Sequence, residues 1–244
     1  MSRRNELPKA IVPFRCADKL IEEKWTAERA EDLANIPSPF RAILVGGCGS
    51  GKSTVAKQLL IHQKPNFDEL ILIHADVGDD EHQGGSTEWW DADPTLVMNE
   101  CPSLEFWTAL CANDDPDRPV KRLVVVDDLE QTSALKQRLK NLALLFRYVS
   151  THKSMSVILC HQSMFDIMPL LRKMANLYIV WKPRAKNELT LIENRVGLDK
   201  GVLKELFTQL CPNQRDSITI DLTDRSPQKL RLNLWTPIDL EEDD

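Results

Sequence analysis

The sequence predicts an α/β fold in which a mainly parallel central sheet is flanked by helices. Three short, mostly apolar runs carry this prediction, at 40–45, 123–126 and 155–160. Each is long enough for a buried strand, and each ends in glycine or polar residues. Ligands of open parallel sheets bind at the carboxyl ends of the strands. The residues that follow these three runs are therefore expected to share one site.

The first run leads into Gly46-Gly47-Cys48-Gly49-Ser50-Gly51-Lys52-Ser53-Thr54, which has the spacing of a phosphate-binding P-loop, or Walker A motif. Glycines let the backbone curl so that successive N–H groups point at phosphate oxygens. A helix predicted at Lys52–His62 directs the positive end of its dipole at the same anion. Lys52 is expected to reach the β- and γ-phosphates, and Ser53 to ligate Mg²⁺. The alternative is a glycine-rich turn that binds nothing.

Two later strand ends carry polar side chains suited to the same site. The run at 123–126 is followed by Asp127-Asp128, the Walker B form. Asp127 is expected to hold Mg²⁺ through water, and Asp128 to orient or deprotonate the attacking water. Gln162 follows the run at 155–160, where it can hydrogen-bond the γ-phosphate or the attacking water. The alternative for Gln162 is a plain strand-end cap.

The length and the pattern predict one large domain with short additions. Charged residues at 17–34, with apolar residues at helical intervals, predict an exposed helix, so residues 1–37 are assigned to an N-terminal helical extension. The P-loop domain is expected at 38–235 and an acidic tail at 236–244. Within the domain we expect strands at 69–74, 95–98 and 177–181, helices at 103–112, 132–151 and 200–210, a loop with a short helix at 165–175, and a terminal hairpin of strands at 217–222 and 229–235.

Charge is unevenly distributed along the 244 residues, whose net charge is −6. Between Lys64 and Arg118 there are 14 Asp and Glu residues and no Lys or Arg, so the remainder is net positive. A contact with nucleic acid is therefore expected to avoid 65–117 and to use the basic remainder. On charge alone, a solvated acidic face explains this segment equally well.

Cysteine usage and hydropathy favour an intracellular protein. The six cysteines are scattered without a C-x-x-C pair, which is typical of reduced thiols and gives no zinc motif. No apolar stretch approaches the roughly 18 residues of a membrane span, and the N-terminus leads into no signal-peptide core. We therefore expect no membrane span.

Two longer combinations add to the P-loop and to Val126-Asp127-Asp128-Leu129. The first is His-x-x-x-Ser-Val at 152–157 leading to His161-Gln162-Ser163, and the second is Arg-x-x-Ala-x-x-Tyr-Ile-Val at 172–180. Together with the entry into the P-loop at 39–45, this order resembles the viral genome-packaging ATPases of the FtsK–HerA superfamily. The similarity is to the poxvirus-type group of large DNA viruses, virophages and Maverick-type elements, and it is weakest at 76–117.

The resemblance implies a P-loop NTPase fold of the additional-strand class with a C-terminal β-hairpin. It also implies a homo-oligomeric ring that hydrolyses ATP to thread double-stranded DNA, independently of sequence, into a preformed capsid. A capsid or portal-vertex protein would be a partner. The location would be the infected host cell, in the cytoplasm or a virus factory, or the virion.

Roles follow for the residues that match the family's motifs. Asp127 handles Mg²⁺ together with Ser53, Asp128 acts on the water, and Gln162 is the sensor. Many superfamily members have Glu in place of Asp128, and Glu130 is an alternative for that role. ATP and its Mg²⁺ would be bound by Gly46, Gly47, Cys48, Gly49, Ser50, Gly51, Lys52, Ser53 and Thr54.

A neighbouring subunit of such a ring would supply an arginine finger. Arg147, before the sensor strand, and Arg172, after it, are favoured over Arg184 and Arg195. DNA phosphates would meet basic residues on loops that face the pore, with four candidates: Lys136, Arg138, Lys140 and Lys153.

Three other hypotheses remain open at this stage. A small-molecule kinase would use the same P-loop, but the sequence shows no arginine-rich lid, and Gln162 is a poor match. A nucleotide-gated scaffold would bind ATP and hardly hydrolyse it, and its only support is the Asp at position 128. A cellular FtsK/HerA-like DNA translocase is the nearest relative of the packaging hypothesis, but such proteins usually carry additional domains.

Overall fold

The computed structural model of the chain describes residues 36, 38–63, 66–74, 92, 94–115, 117–127, 129, 136–183, 185–223 and 229–238. The strands are β1 (Arg41–Val45), β2 (Glu69–His74), β3 (Leu96–Met98), β4 (Arg122–Asp127), β5 (Ser156–His161), β6 (Leu177–Trp181), β7 (Ser217–Asp221), β8 (Leu230–Leu232) and β9 (Thr236–Pro237). Within the described residues they form one sheet in the order β3-β2-β4-β5-β1-β6-β7-β8-β9.

Helices cover both faces of this sheet. They are α1 (Lys52–His62), α2 (Leu104–Leu110), α3 (Lys136–Leu144), α4 (Ser150–His152), α5 (Pro169–Met174), α6 (Lys186–Val196) and α7 (Val202–Leu210), with a π-helical turn (Leu145–Val149) joining α3 to α4. In the part of the chain that the structure describes, no helix is long and apolar enough to cross a bilayer.

The first six strands pair in parallel, and the last three are added antiparallel. β5 lies between β1 and β4, which places an additional strand between the strand that enters the P-loop and the strand that ends in Asp127. The fold predicted from the sequence, a mainly parallel sheet flanked by helices, is confirmed. The carboxyl ends of β1, β5 and β4 lie side by side at one edge.

Alternating side chains divide the core into two layers. Ala42 and Leu44 of β1 face one side, where they pack with α1, whereas Ile43 and Val45 face the other side. That second side is covered by α2, α3, the π-helical turn, α5, α6 and α7, whose apolar residues share its core. Because the central parallel strands are buried on both faces, their sequences are continuous apolar runs.

The helix predicted at 132–151 is observed over 136–152, but it is not uniformly α-helical. Its π-helical turn buries Leu145, Phe146 and Val149 and leaves Arg147 and Tyr148 exposed. The ring of Tyr148 stacks on His152, with centroids 4.4 Å apart. Such turns insert one residue into the helical ladder and often occur at functional sites.

The sequence misses or misplaces elements near the C-terminus. Helix α6 was not predicted. The second hairpin strand, predicted at 229–235, ends at Leu232, because Asn233, with φ of +55°, begins a turn that returns the chain as β9. The residues predicted as an N-terminal helix at 17–34 lie outside the described residues, as do residues 75–91 of the acidic segment at 65–117.

A buried arginine fastens the amino-terminal end of β4. Arg122 donates from Nε to Glu69 of β2 at 2.7 Å and from its two terminal nitrogens to Asp114 at 2.5 and 2.7 Å. Its side chain is 4% exposed, whereas the two carboxylates are 27% and 21% exposed. Hydrogen bonding to Asp114 raises the pKa of Arg122, and the same bond lowers the pKa of Asp114 below its usual range.

Replacing this arginine is expected to destabilise the fold in a pH-dependent way. Arg122→Leu should lower the free energy of unfolding at pH 7 by about 2–3 kcal/mol, less than for fully buried pairs because the carboxylates are partly exposed. The pKa of Asp114 is depressed in the folded state, so its contribution is present above the unfolded-state pKa of about 4 and is lost as the pH falls through the lower folded-state value.

Urea unfolding of the wild type, Arg122→Leu and Asp114→Asn at pH 7 and at about pH 3 checks this prediction. The difference between the wild type and Asp114→Asn should shrink on acidification. Arg118→Leu removes an exposed arginine and should stay within about 0.5 kcal/mol of the wild type. A variant difference that does not depend on pH would contradict the assignment.

Candidate functional site

The loop between β1 and α1 curls as a phosphate-binding loop requires. Its first amide, the Gly46 N–H, donates to the carbonyl of His161 in β5 at 3.2 Å, and the Ser50 N–H donates to the carbonyl of Gly47 at 3.3 Å. Gly49 and Gly51 have φ of +71° and +102°, in the left-handed region that favours glycine. The tip of the loop is exposed at Cys48 and Gly49. The loop therefore presents curled backbone at the amino-terminal end of α1, and this backbone attracts anions.

Gly46 is required because the loop begins against a tryptophan. A Cβ on Gly46 would lie 2.9 Å from Cβ of Trp181, at the end of β6, and 2.6 Å from Oγ of Ser50. Trp181 is buried, and its indole N–H donates to the carbonyl of Arg215 at 3.0 Å. Burial and this hydrogen bond hold the indole in place at the start of the loop. At Gly47, in contrast, a Cβ would meet nothing within 4 Å.

The lysine of the motif lies inside the loop. Lys52 is 8% exposed, and its Nζ donates to the carbonyl oxygens of Gly46 at 2.8 Å and Gly47 at 3.1 Å. These two bonds hold the ammonium group under the curled backbone. A cation in this position adds to the field of the N–H groups and of the helix dipole, so the loop is an electrostatic site for an anion.

The hydroxyl after this lysine meets the carboxylate predicted to share its site. Ser53 Oγ donates to Oδ2 of Asp127 at 3.1 Å, although the two residues are 74 positions apart. Asp127 ends β4 and is buried, whereas Ser53 is half-buried. A hydroxyl beside a carboxylate offers the hard oxygen ligands that Mg²⁺ prefers. The residues present therefore fit a magnesium site next to the loop.

Gln162 lies where the sequence predicts it, directly after β5 and exposed. The parallel register places β5 between β1 and β4, so this strand end lies between the P-loop and Asp127. The chain that follows is fixed, because the Ser163 N–H donates to Nδ1 of His161 at 3.4 Å and the Met164 N–H donates to the buried carboxylate of Glu188 in α6.

The two favoured arginines lie away from the P-loop helix. Arg147 is exposed on the π-helical turn, and Arg172 is half-buried on α5. Both belong to the helical layer on the face opposite α1. Arg195 is engaged structurally, because its guanidinium donates to the carbonyls of Arg172 at 2.6 Å and of Lys173 at 2.5 Å, at the end of α5.

Some predicted site residues cannot be placed. Asp128, Glu130 and Arg184 lie outside the described residues, and nothing tests their roles. Thr54 is half-buried in the first turn of α1. Sequence reasoning missed the contact of Trp181 with the P-loop and the anchoring of the loop after Gln162 by Glu188, since both join segments that are distant in sequence.

No family model matches the sequence, and no curated protein does. Among solved structures, the chain is similar to B204, the DNA-packaging ATPase from Sulfolobus turreted icosahedral virus. The TM-score is 0.54 at 17% identity, over 83% of this chain and 99% of B204. It is also similar to the pCW3 conjugation coupling protein TcpA, with a TM-score of 0.56 at 11% identity, over 88% of this chain and 69% of that one.

A third similar structure is the cytoplasmic domain of the Thermomonospora curvata type VII secretion ATPase EccC, with a TM-score of 0.52 at 12% identity, over 90% of this chain and 31% of that one. At these identities the similarity identifies the fold. The chain has a P-loop NTPase fold with a mostly parallel nine-stranded sheet in its described residues. The resemblance to viral packaging ATPases indicated by the sequence is confirmed at the level of the fold.

Gly46→Ala and Gly47→Ala form a matched pair that tests the fit of the loop. Gly46→Ala should lower the free energy of unfolding by about 1–3 kcal/mol, because the new methyl group overlaps Trp181 and Ser50. Gly47→Ala should change it by no more than about 0.5 kcal/mol. Urea unfolding measures both variants. Equal effects of the two substitutions would show that Trp181 does not constrain the loop.

Proposed function

We propose that this protein is an ATPase that translocates double-stranded DNA into a preformed viral capsid. The observation that carries the proposal is the joining of Lys52, Ser53 and Asp127 at one sheet edge, around a curled glycine loop. This arrangement suits a nucleoside triphosphate, because it combines an ammonium group, backbone N–H groups and oxygen ligands for a cation. TcpA, a similar structure, was solved with ATPγS.

In this proposal Lys52 leaves the carbonyls of Gly46 and Gly47 and binds the β- and γ-phosphates. Ser53 and Asp127 would hold Mg²⁺, directly and through water respectively. When bound, the ion neutralises charge that develops on the phosphates during transfer. Asp128 orients or deprotonates the attacking water. Gln162 hydrogen-bonds the γ-phosphate or that water. It lies two residues after Cys160, whose side chain packs on the α1 side of the sheet.

Packaging is favoured over other forms of translocation by the extent of the structural match. The chain spans 99% of B204, a DNA-packaging ATPase, but 69% of TcpA and 31% of EccC. The structural match therefore includes nearly all of the B204 chain and only part of the TcpA and EccC chains. The second candidate, a non-viral DNA translocase, is supported by the TM-score of 0.56 with TcpA, a conjugation coupling protein.

The substrate is proposed to contact a basic surface formed by α3 and by Lys153, which follows α4. Residues 131–165 contain five Lys and Arg residues and no Asp or Glu. Of the four candidates for DNA contact, Lys140 is exposed and Lys153 is half-buried. The side chains of Lys136 and Arg138 lie outside the described residues. Contacts from such residues reach phosphates, so binding should be independent of sequence and sensitive to salt.

A homo-oligomeric ring explains why the two favoured arginines lie on the layer opposite α1. Arg147 or Arg172 would act in trans, on ATP bound by the next subunit, and the site would be complete only in the ring. A capsid or portal-vertex protein is the proposed partner of the assembled ring. The protein would act in the infected cell, in the cytoplasm or a virus factory, or remain with the virion.

Steady-state ATP hydrolysis with and without long double-stranded DNA tests the proposal. We expect DNA to stimulate hydrolysis at about 50 mM salt and the stimulation to fade by about 200 mM. Lys52→Ala should reduce the rate by about 10²-fold or more, because it removes the positive charge that binds the transferred phosphate. Asp128→Asn should reduce it by a similar factor, because the water loses its base.

Lys204→Ala is the matched control, since it removes an exposed lysine from α7, and it should hydrolyse ATP at the wild-type rate. An ATP hydrolysis rate that does not change when DNA is added would overturn the translocase proposal. Transfer of phosphate to a small acceptor in place of water would support a kinase instead. Tight ATP binding without hydrolysis in any condition would leave the scaffold hypothesis.

A further inference from the structure

A buried histidine, which has no role in the reaction proposed above, lies beside Asp127. His74 ends β2 and Asp127 ends β4, and each is 4% exposed. The two strands are parallel neighbours in a register that places His74 directly opposite Asp127. Residues paired in this way have backbones about 4.8 Å apart and point to the same face of the sheet. The imidazole and the carboxylate are therefore neighbours at the carboxyl edge.

That shared face is the one covered by the P-loop helix. Leu72, two residues before His74, and Val125, two residues before Asp127, both belong to the core packed under α1. Side chains alternate along a strand, so His74 and Asp127 point to the same side. Ser53 of α1 reaches Asp127 from this side. His74 thus lies on the same face as the Ser53–Asp127 pair.

The position of the polar residue within β2 is informative. Leu70 and Leu72, which share the face of His74, are buried leucines, and the strand becomes polar on this face only at its last residue. A residue that only filled space at this position could be another apolar side chain. Burial of an imidazole costs free energy unless the imidazole is hydrogen-bonded, so its presence next to a buried carboxylate indicates a polar role.

We propose that His74 is a positioning residue, which orients the carboxylate of Asp127 for the Mg²⁺ of a bound nucleotide. This inference rests on the proposed function. In this proposal, Ser53 engages Oδ2 of Asp127, and the imidazole N–H of His74 donates a hydrogen bond to the same carboxylate from the neighbouring strand. The two bonds together fix the plane of the carboxylate. Removing such an outer partner of a metal-binding group typically weakens metal affinity or activity by about 10–100-fold.

The test compares His74→Leu, which keeps most of the volume, with His74→Gln, which keeps a hydrogen-bonding side chain. Binding of Mn²⁺ in the presence of ADP, measured by electron paramagnetic resonance, reports the cation site directly. The affinity for a fluorescent ATP analogue, measured in EDTA, reports nucleotide binding to the P-loop without a divalent cation. His74→Leu should weaken Mn²⁺ binding about 10-fold or more and leave metal-free nucleotide affinity unchanged, and His74→Gln should restore most of the Mn²⁺ affinity.

Lys204→Leu is the control, because this residue is exposed on α7, away from the site and from the proposed DNA-contacting surface, and it should behave as the wild type. If His74→Leu fails to fold, His74→Ala takes its place in the same comparison. Mn²⁺ affinity equal to the wild type in the leucine variant would overturn the inference and leave the proposed function intact. If His74→Leu and His74→Gln weakened Mn²⁺ binding equally and also lowered the melting temperature, His74 would have a structural role. That result would also overturn the inference. If the wild type itself bound no Mn²⁺ with ADP, the proposed function would fail as well.

Discussion

The parallel pairing of β1, β5 and β4 is the constraint on which the rest of the site depends. It places three strand ends at one edge, so that the P-loop, Gln162 and Asp127 become neighbours although they are distant in sequence. The hydrogen bond from Ser53 to Asp127 then closes the site between α1 and β4. β6 completes it from the other side, because Trp181 packs against the first residue of the loop. If these strands were paired in another order, the same motifs would not meet.

The sequence predicts those parts of the fold that are encoded locally. The P-loop, the buried strands and the polar residues at their ends follow from runs of apolar residues and from glycine spacing. Contacts between distant segments could not be predicted in this way. The neighbours of Gly46 and of Asp127 depend on strand order and register, so Trp181 and His74 gave no signal in the sequence. The π-helical turn keeps the apolar spacing of an ordinary helix, and for that reason its insertion is hidden.

The two faces of the sheet divide the proposed work. In the proposed function, α1 and the strand ends on its side would hold the phosphates and the cation, whereas the opposite layer carries Arg147, Arg172, Lys140 and Lys153. Such a division suits a ring, in which one subunit binds the nucleotide and its neighbour completes the site. Buried groups hold the elements in place. Arg122 joins β2 and β4 at the amino-terminal edge, and Glu188 fixes the loop after Gln162.

In the proposed function, ATP hydrolysis moves this protein along double-stranded DNA. The most direct test is displacement of a third-strand oligonucleotide from a duplex by the purified protein, which reports movement rather than binding. We expect displacement that requires ATP and Mg²⁺, does not depend on the duplex sequence, and is absent in Lys52→Ala. Hydrolysis that is stimulated by DNA without any displacement, under conditions in which the protein is assembled, would contradict it.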